Sequence, residues 1–177
     1  MIIGIAGAAY AGKTTLAEMF CSLGGMRCVV IPFARAVKDM ARTFGWDGKK
    51  DEKGRRFLQL LGTEIGRAYI PTFWVDRWED SVINERTRLS YEKVCVIADD
   101  VRFENEVSAV RGLGGIIIRL DAREELRRER ALKKGEDLPP AHASEKGIED
   151  WDVLMNNNGS VEELMKAARS LWEEHRE

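Results

Sequence analysis

Five stretches of the chain carry hydrophobic residues without polar alternation. They are IIGIAG at 2–7, RCVVIPF at 27–33, KVCVIAD at 93–99, GIIIRLD at 115–121 and, more weakly, DWDVLMN at 150–156. A strand with one wet face alternates, so these runs predict strands buried on both faces, as in a parallel sheet covered by helices. Between them the spacing turns helical. TTLAEMFCSLGG places Leu16, Met19, Phe20 and Leu23 on one side and stops at Gly24-Gly25, a C-terminal signal. Further helices are predicted at 34–45, 55–69, 74–88, 103–112, 122–134 and 160–175. No repeat, low-complexity tract or linker interrupts the pattern. It predicts a single α/β domain over 1–177, with core segments at 1–34, 91–121 and 149–177 and a helical excursion at about 35–90.

Composition narrows the setting more than it changes the fold. The 177 residues are 44% apolar and 33% charged, with a formal charge of -2. That is a globular composition with no general pull toward nucleic acid or anionic lipid. No apolar run approaches the roughly 18 residues of a membrane span. The N-terminus lacks the basic start of a secretory signal, and its first lysine, Lys13, follows the apolar stretch. Cys21, Cys28 and Cys95 make an odd number without metal-type spacing, which predicts reduced, mostly buried thiols in a cytoplasmic protein. The oligomeric state, including a homodimer, stays open at this level.

The first strand runs into Gly7-Ala8-Ala9-Tyr10-Ala11-Gly12-Lys13-Thr14, a full match to G-x-x-x-x-G-K-[ST] between a predicted strand and a predicted helix. Glycines at such a turn let backbone N–H groups curl around phosphate oxygens at a helix N-terminus. Gly7, Ala11, Gly12, Lys13, Thr14 and Thr15 are therefore the expected nucleotide cradle. Lys13 is placed to reach the β- and γ-phosphates, and the Thr14 hydroxyl to ligate Mg²⁺. An acid at the end of a neighbouring strand should complete the metal shell, and Asp99 and Asp100 follow the run KVCVIA. A GTPase would show D-x-x-G at this strand end and N-K-x-D later, and neither is there. The G-x-G-x-x-G of dinucleotide binding is also missing.

Phosphoryl transfer spreads charge over the equatorial oxygens, so cations are needed on the donor and acceptor sides. Three clusters supply them: KKDEKGRR at 49–56, Arg102 beyond the acidic pair, and AREELRRERALKK at 122–134. In the last, Arg123, Arg127, Arg130 and Lys134 share a helical face, a pattern that exposed Glu/Arg pairing also produces. His142 and His175 are the only histidines. If the acceptor is itself a phosphate its oxygen is already anionic, and positioning can replace a general base.

The runs FARAVKDMARTFGW, DEKGRRFLQLLGTEIGR, FWVDRW and DDVRFENE, continued by HASE at 142–145 and NNNGSVEEL at 156–164, resemble the bacteriophage-type deoxynucleoside monophosphate kinases. The resemblance implies a P-loop kinase fold, a three-layer α/β/α arrangement around a five-stranded parallel sheet. It also implies a nucleotide-binding excursion at 35–90, a short lid within 122–148, and transfer of the ATP γ-phosphoryl group to a deoxynucleoside monophosphate with Mg²⁺. Asp100 would be the magnesium-side acid, alongside Asp99, and Arg102 would touch the transferring or acceptor phosphate. Arg127 and Arg130 would act from the lid. Lys38, Arg55, Arg56, Gln59, Thr63, Glu64, Arg67 and Trp74 would line the acceptor site. Asn156, Asn157 and Gly159 resemble the loop that packs on adenine, although Ser160 and Glu163 there also spell a helix capping box. Phe44, Trp46, Phe73 and Trp78 are further candidates for stacking a base, or equally for a core. Two rivals remain: a dephospho-coenzyme A kinase, which would place an aspartate pair where Ile31-Pro32-Phe33-Ala34 stands, and a P-loop ATPase module without a small acceptor.

Overall fold

A computed structural model describes residues 1–49, 51–89, 93–138 and 148–175. The five apolar runs become β1 (Ile2–Ala6), β2 (Arg27–Val30), β3 (Val94–Val101), β4 (Ile116–Asp121) and β5 (Val153–Asn156), all parallel in the order β2-β3-β1-β4-β5. β1 is central, with Ile3 in register with Ile97 on one side and Ile116 on the other. Its two faces feed two cores. Ile3 and Ile5 meet α1 (Lys13–Ser22) and α7 (Val161–His175), where Phe20 stacks on Trp172 at 6.1 Å. Ile2 and Ala6 face α4 (Phe73–Arg88) and α5 (Glu104–Gly112), through Val75, Trp78, Val107 and Val110. This is the expected three-layer sandwich. Each fully buried Ile or Leu in it contributes roughly 2 kcal/mol. No described helix is long and apolar enough to cross a membrane.

The excursion is built differently. α2 (Ala34–Thr43), α3 (Glu52–Gln59), a π-helical segment (Leu60–Arg67) and the start of α4 close on a small separate core of Ala41, Leu61 and Trp74, lined by Val37, Met40, Trp46 and Phe57. The single helix predicted at 55–69 is thus two. It begins earlier because Asp51 caps it, accepting from the Gly54 N–H at 2.8 Å. It widens into a π-helix over LLGTEIGR, where the Trp74 indole lies against Gly66 and donates to the Gly62 carbonyl at 2.8 Å. A Cβ at Gly66 would sit 2.5 Å from that indole nitrogen. After β4 comes α6 (Glu124–Lys133).

One expectation fails here. Cys21, near the end of α1, and Cys28, on β2, form a disulfide. The Gly-Gly turn sends β2 back along α1 and brings the two together, which a residue count cannot foresee. Cys95 alone is a free thiol, buried in the sheet, and burial pushes it up to about 11.

Candidate active site

The glycine turn expected to cradle phosphate forms at the C-terminal edge of β1. Gly7 holds φ 145° and Gly12 holds φ 102°, both in the region that favours glycine. Space is as restrictive as conformation. A Cβ on Gly7 would lie 2.3 Å from the Leu120 carbonyl oxygen, and one on Gly12 2.4 Å from the Asn157 amide nitrogen. Tyr10, at the tip, is left-handed too (φ 61°) despite its side chain. Lys13 arches back over the turn and donates to the carbonyls of Gly7 (2.7 Å) and Ala8 (2.9 Å). It and Thr14 open α1, whose first N–H groups have no helical partners and favour an anion.

A loop that turns its N–H groups inward turns carbonyls outward, and these need donors. α6 and the turn after β5 provide them. Arg130 donates to the carbonyls of Tyr10 and Ala11 (both 3.3 Å) and of Asn157 (2.8 Å), and Arg127 to that of Ala9 (3.4 Å). The buried Asn157 amide donates to the Ala11 carbonyl at 2.7 Å. Arg127 and Arg130, expected to act from the lid, here brace the carbonyls of the loop. Asn157 likewise supports the loop. Asn158 accepts from the Arg123 N–H (2.8 Å), fastening the same turn to the start of α6. Asn156 is exposed, and Gly159 is bound up in the capping box. There Ser160 N–H donates to the Glu163 carboxylate (2.8 Å) and Glu163 N–H to the Ser160 hydroxyl (3.2 Å).

The two aspartates at the end of β3 divide their work. Thr14 donates its hydroxyl to Asp99 Oδ2 at 2.7 Å, so Asp99 is the carboxylate beside the metal-competent threonine. Asp100, named by resemblance for that role, instead accepts from the N–H groups of Phe33 (2.8 Å) and Ala34 (2.9 Å) at the start of α2. Successive strand residues point to opposite sides, so adjacent acids cannot serve one ion in the same way. Burial raises the Asp100 pKa against the lowering effect of those two N–H groups. The Thr14–Asp99 pair is hard oxygen chemistry of the kind Mg²⁺ takes, next to a cradle for phosphate, and the residues present fit that ion. Arg102 is exposed just beyond.

Among the residues expected to line an acceptor site, Arg55 pairs with Glu136 (2.6 Å) and Arg56 with Glu64 (2.8 Å), all four exposed. Thr63 is exposed, and Gln59 and Lys38 are half-buried, all on the excursion. Arg67 departs from expectation: it is only 17% exposed, packs over the Phe103 ring at 3.9 Å and pairs with Glu106. Glu106 is buried and also accepts from the N–H groups of Arg102 (2.7 Å) and Phe103 (3.2 Å), so it docks the excursion on α5. Burial raises its pKa. Trp74, predicted to meet a base, is 1% exposed and belongs to the excursion core, where its ring presents no free face. Trp78 is buried as well and donates to the Ile31 carbonyl (2.7 Å), while Phe44 stays exposed. HASE at 142–145 lies outside the described residues. The sequence did not single out Glu106 or Glu136; Glu106 takes the Phe103 N–H as the glutamate of a capping box does, but Phe103 has no side-chain oxygen to complete one, so the usual Ser/Thr signal is missing.

A family model described as deoxynucleotide monophosphate kinase matches residues 41–168, well over half of the chain. The chain belongs to the deoxynucleotide monophosphate kinase family. The match covers the excursion from residue 41, the DDVRFENE strand end and the first half of α7, so the family assignment and the phosphate loop at 7–14 are independent observations. Among curated relatives, a protein of Acanthamoeba polyphaga mimivirus, provisionally named deoxynucleotide monophosphate kinase, is 25% identical over 93% of this chain and 92% of its own length. Solved structures of the same fold include TT1252 from Thermus thermophilus (TM-score 0.60, 18% identity, 99% of this chain and 97% of that one). Shikimate kinase from Aquifex aeolicus is another (TM-score 0.56, 14% identity, 99% and 98%). At these identities the likeness is one of fold, a P-loop kinase sandwich. As a member of this kinase family the chain is a phosphotransferase.

Proposed function

We propose that the chain transfers the γ-phosphoryl group of ATP to a deoxynucleoside monophosphate, giving a deoxynucleoside diphosphate and ADP. The observation that carries this reading is the Thr14–Asp99 hydrogen bond (2.7 Å) beside the Gly7–Thr14 turn, in a chain of this family. It supports an anion cradle and a metal-side carboxylate built together.

In this reading the N–H groups of residues 7–15 bind the triphosphate of ATP, and Lys13 exchanges its loop carbonyls for phosphate oxygens. Thr14 and Asp99 would hold Mg²⁺, which when bound neutralises phosphate charge. The excursion at 35–90 presents Arg55 and Arg56 to the acceptor phosphate, and Arg102 meets the transferring group. The acceptor oxygen is anionic, so alignment and charge stabilisation suffice without a proton acceptor. The lid expected within 122–148 would exclude water that otherwise takes the phosphoryl group; its 139–147 stretch lies outside the described residues, and its α6 part already rests on the phosphate loop. Asp100 acts at one remove, by fixing the start of α2.

An ADP-release assay with every common deoxy- and ribonucleoside monophosphate, and with dephospho-coenzyme A, tests the reading. Activity on one or more deoxynucleotides is expected. Activity on dephospho-coenzyme A alone would transfer the chain to that chemistry, and ADP release indifferent to any acceptor would make it an ATPase.

A further inference from the structure

The element that braces the back of the phosphate loop also reaches its front. After α6, Gly135 takes a left-handed φ of 69° and the Glu136 N–H returns to the Ala131 carbonyl at 3.1 Å, which fixes where the Glu136 side chain begins. Its carboxylate accepts from Arg55 Nη2 at 2.6 Å, across 81 residues of sequence. The pair sits by the tip of the loop, beside Tyr10. Burial and then the neighbouring Glu136 carboxylate raise the Tyr10 hydroxyl pKa, while the Arg55 charge opposes them. The Tyr10 carbonyl is meanwhile held by Arg130. α6 and the residues just after it therefore hold the tip residue by its backbone and set a carboxylate against Arg55 of the excursion.

We infer that Glu136 is a positioning residue of the acceptor site, which holds the Arg55 guanidinium at the tip of the phosphate loop and competes with the acceptor phosphate for it. The inference rests on the reading that Arg55 meets that phosphate. A guanidinium offers its N–H edges to carboxylate and phosphate alike, so the two anions contend for the same group. Both partners keep nearly half their side-chain surface in water, 46% for Arg55 and 43% for Glu136. An exposed pair of this kind is weak enough to exchange. Glu136 thus keeps Arg55 near the reacting groups and makes the first contact with the acceptor weaker than it would otherwise be.

Calorimetric titration of the four common deoxynucleoside monophosphates, without ATP and at low salt, tests this on the wild type, Glu136→Gln, Arg55→Gln and the double variant. Glu129→Gln, an exposed change of equal charge on α6, is the control. Glu136→Gln should tighten monophosphate binding about two- to fivefold, with the gain fading as salt rises. Glu129→Gln should not, and in the Arg55→Gln background the gain should vanish. Affinity for ATP and the melting temperature should stay put, which a merely structural role does not predict. Glu136→Asp, one methylene shorter but still charged, should fall between. If the wild type binds a monophosphate and Glu136→Gln binds it no more tightly, the inference fails and the proposed function stands. If Arg55→Gln binds like the wild type, or the wild type takes no monophosphate at all, both fail.

Discussion

The loop after β1 and the helical excursion, which we read as the donor and acceptor halves of the site, are made from different materials. The donor cradle is backbone: positive-φ glycines, helix-end N–H groups and carbonyls braced from behind, set at the edge of a central strand with large cores on both faces. The acceptor side is side chain: exposed arginines whose partners are glutamates, on helices that share a satellite core of only a few residues. A backbone site is held by the whole sheet and tolerates little adjustment. A side-chain site on a small core can move against the donor and exchange partners, which a reaction that must admit, enclose and release a second nucleotide requires.

The sharpest way to break this comparison is Lys13→Met. It should cut phosphoryl transfer by roughly 10²–10³-fold or more, measured as ADP release, while the melting temperature stays near that of the wild type. Loss of fold together with activity would mean the cradle is not carried by the sheet. Next comes Trp74→Ala, which removes the indole from the satellite core and leaves the Gly62 carbonyl without its donor. It should cost about 3 kcal/mol in denaturant unfolding, concentrated in the excursion, and abolish the response to monophosphates while ATP still binds. Equal loss of ATP binding would show that the halves are not separable.

Asp99→Asn and Asp100→Asn sharpen the contrast within a single strand end. Asp99→Asn should raise the Mg²⁺ concentration needed for half-maximal activity severalfold with little change in stability. Asp100→Asn should leave the Mg²⁺ requirement alone and destabilise the start of α2 by about 1 kcal/mol, the scale of a lost helix cap. A pH dependence follows from the raised Asp100 pKa. The folded state holds that proton more firmly than the unfolded chain, so the contribution is fully present below the ordinary value of 3.8 and is lost as pH rises through the folded value. Thermal melts from pH 4 upward should therefore show the deficit of Asp100→Asn shrinking. A deficit that grows with pH would mean the two N–H groups outweigh burial.

The smallest effect is expected at Arg56→Ala. Its pairing with Glu64 is exposed, so stability should change by less than about 1 kcal/mol. The KM for the monophosphate should nevertheless rise severalfold with that for ATP unchanged. A stability loss without a KM change would assign Arg56 to structure alone.

How legible these features were follows from how local their causes are. The strands, and most helix spans to within a few residues, could be read because burial on both faces and 3.6-residue spacing are properties of short segments. The phosphate loop could be read because glycine, lysine and threonine act there through the backbone of adjacent residues. Asp99 and Asp100 could be found as a pair, but the resemblance pointed to Asp100 where Asp99 meets Thr14, since which oxygen does so depends on how β3 lies beside α1 and α2. Arg67, Trp74, Arg127 and Arg130 were identified as chemically apt, and each proved to be claimed by a partner distant in sequence: Glu106, Gly62, and the carbonyls of Ala9 to Ala11. The Cys21–Cys28 disulfide escaped because cysteine spacing says nothing of a helix folded back on the next strand.

By itself, then, the sequence determined a parallel sheet between helices, a phosphate-binding turn at its first strand end and a supply of cations and acids around it. Tertiary structure alone decided which of those charges remain available to a ligand. The reason is physical: backbone conformation responds to residues a few positions away, whereas a guanidinium or carboxylate takes whichever partner the packed chain brings within about 3 Å.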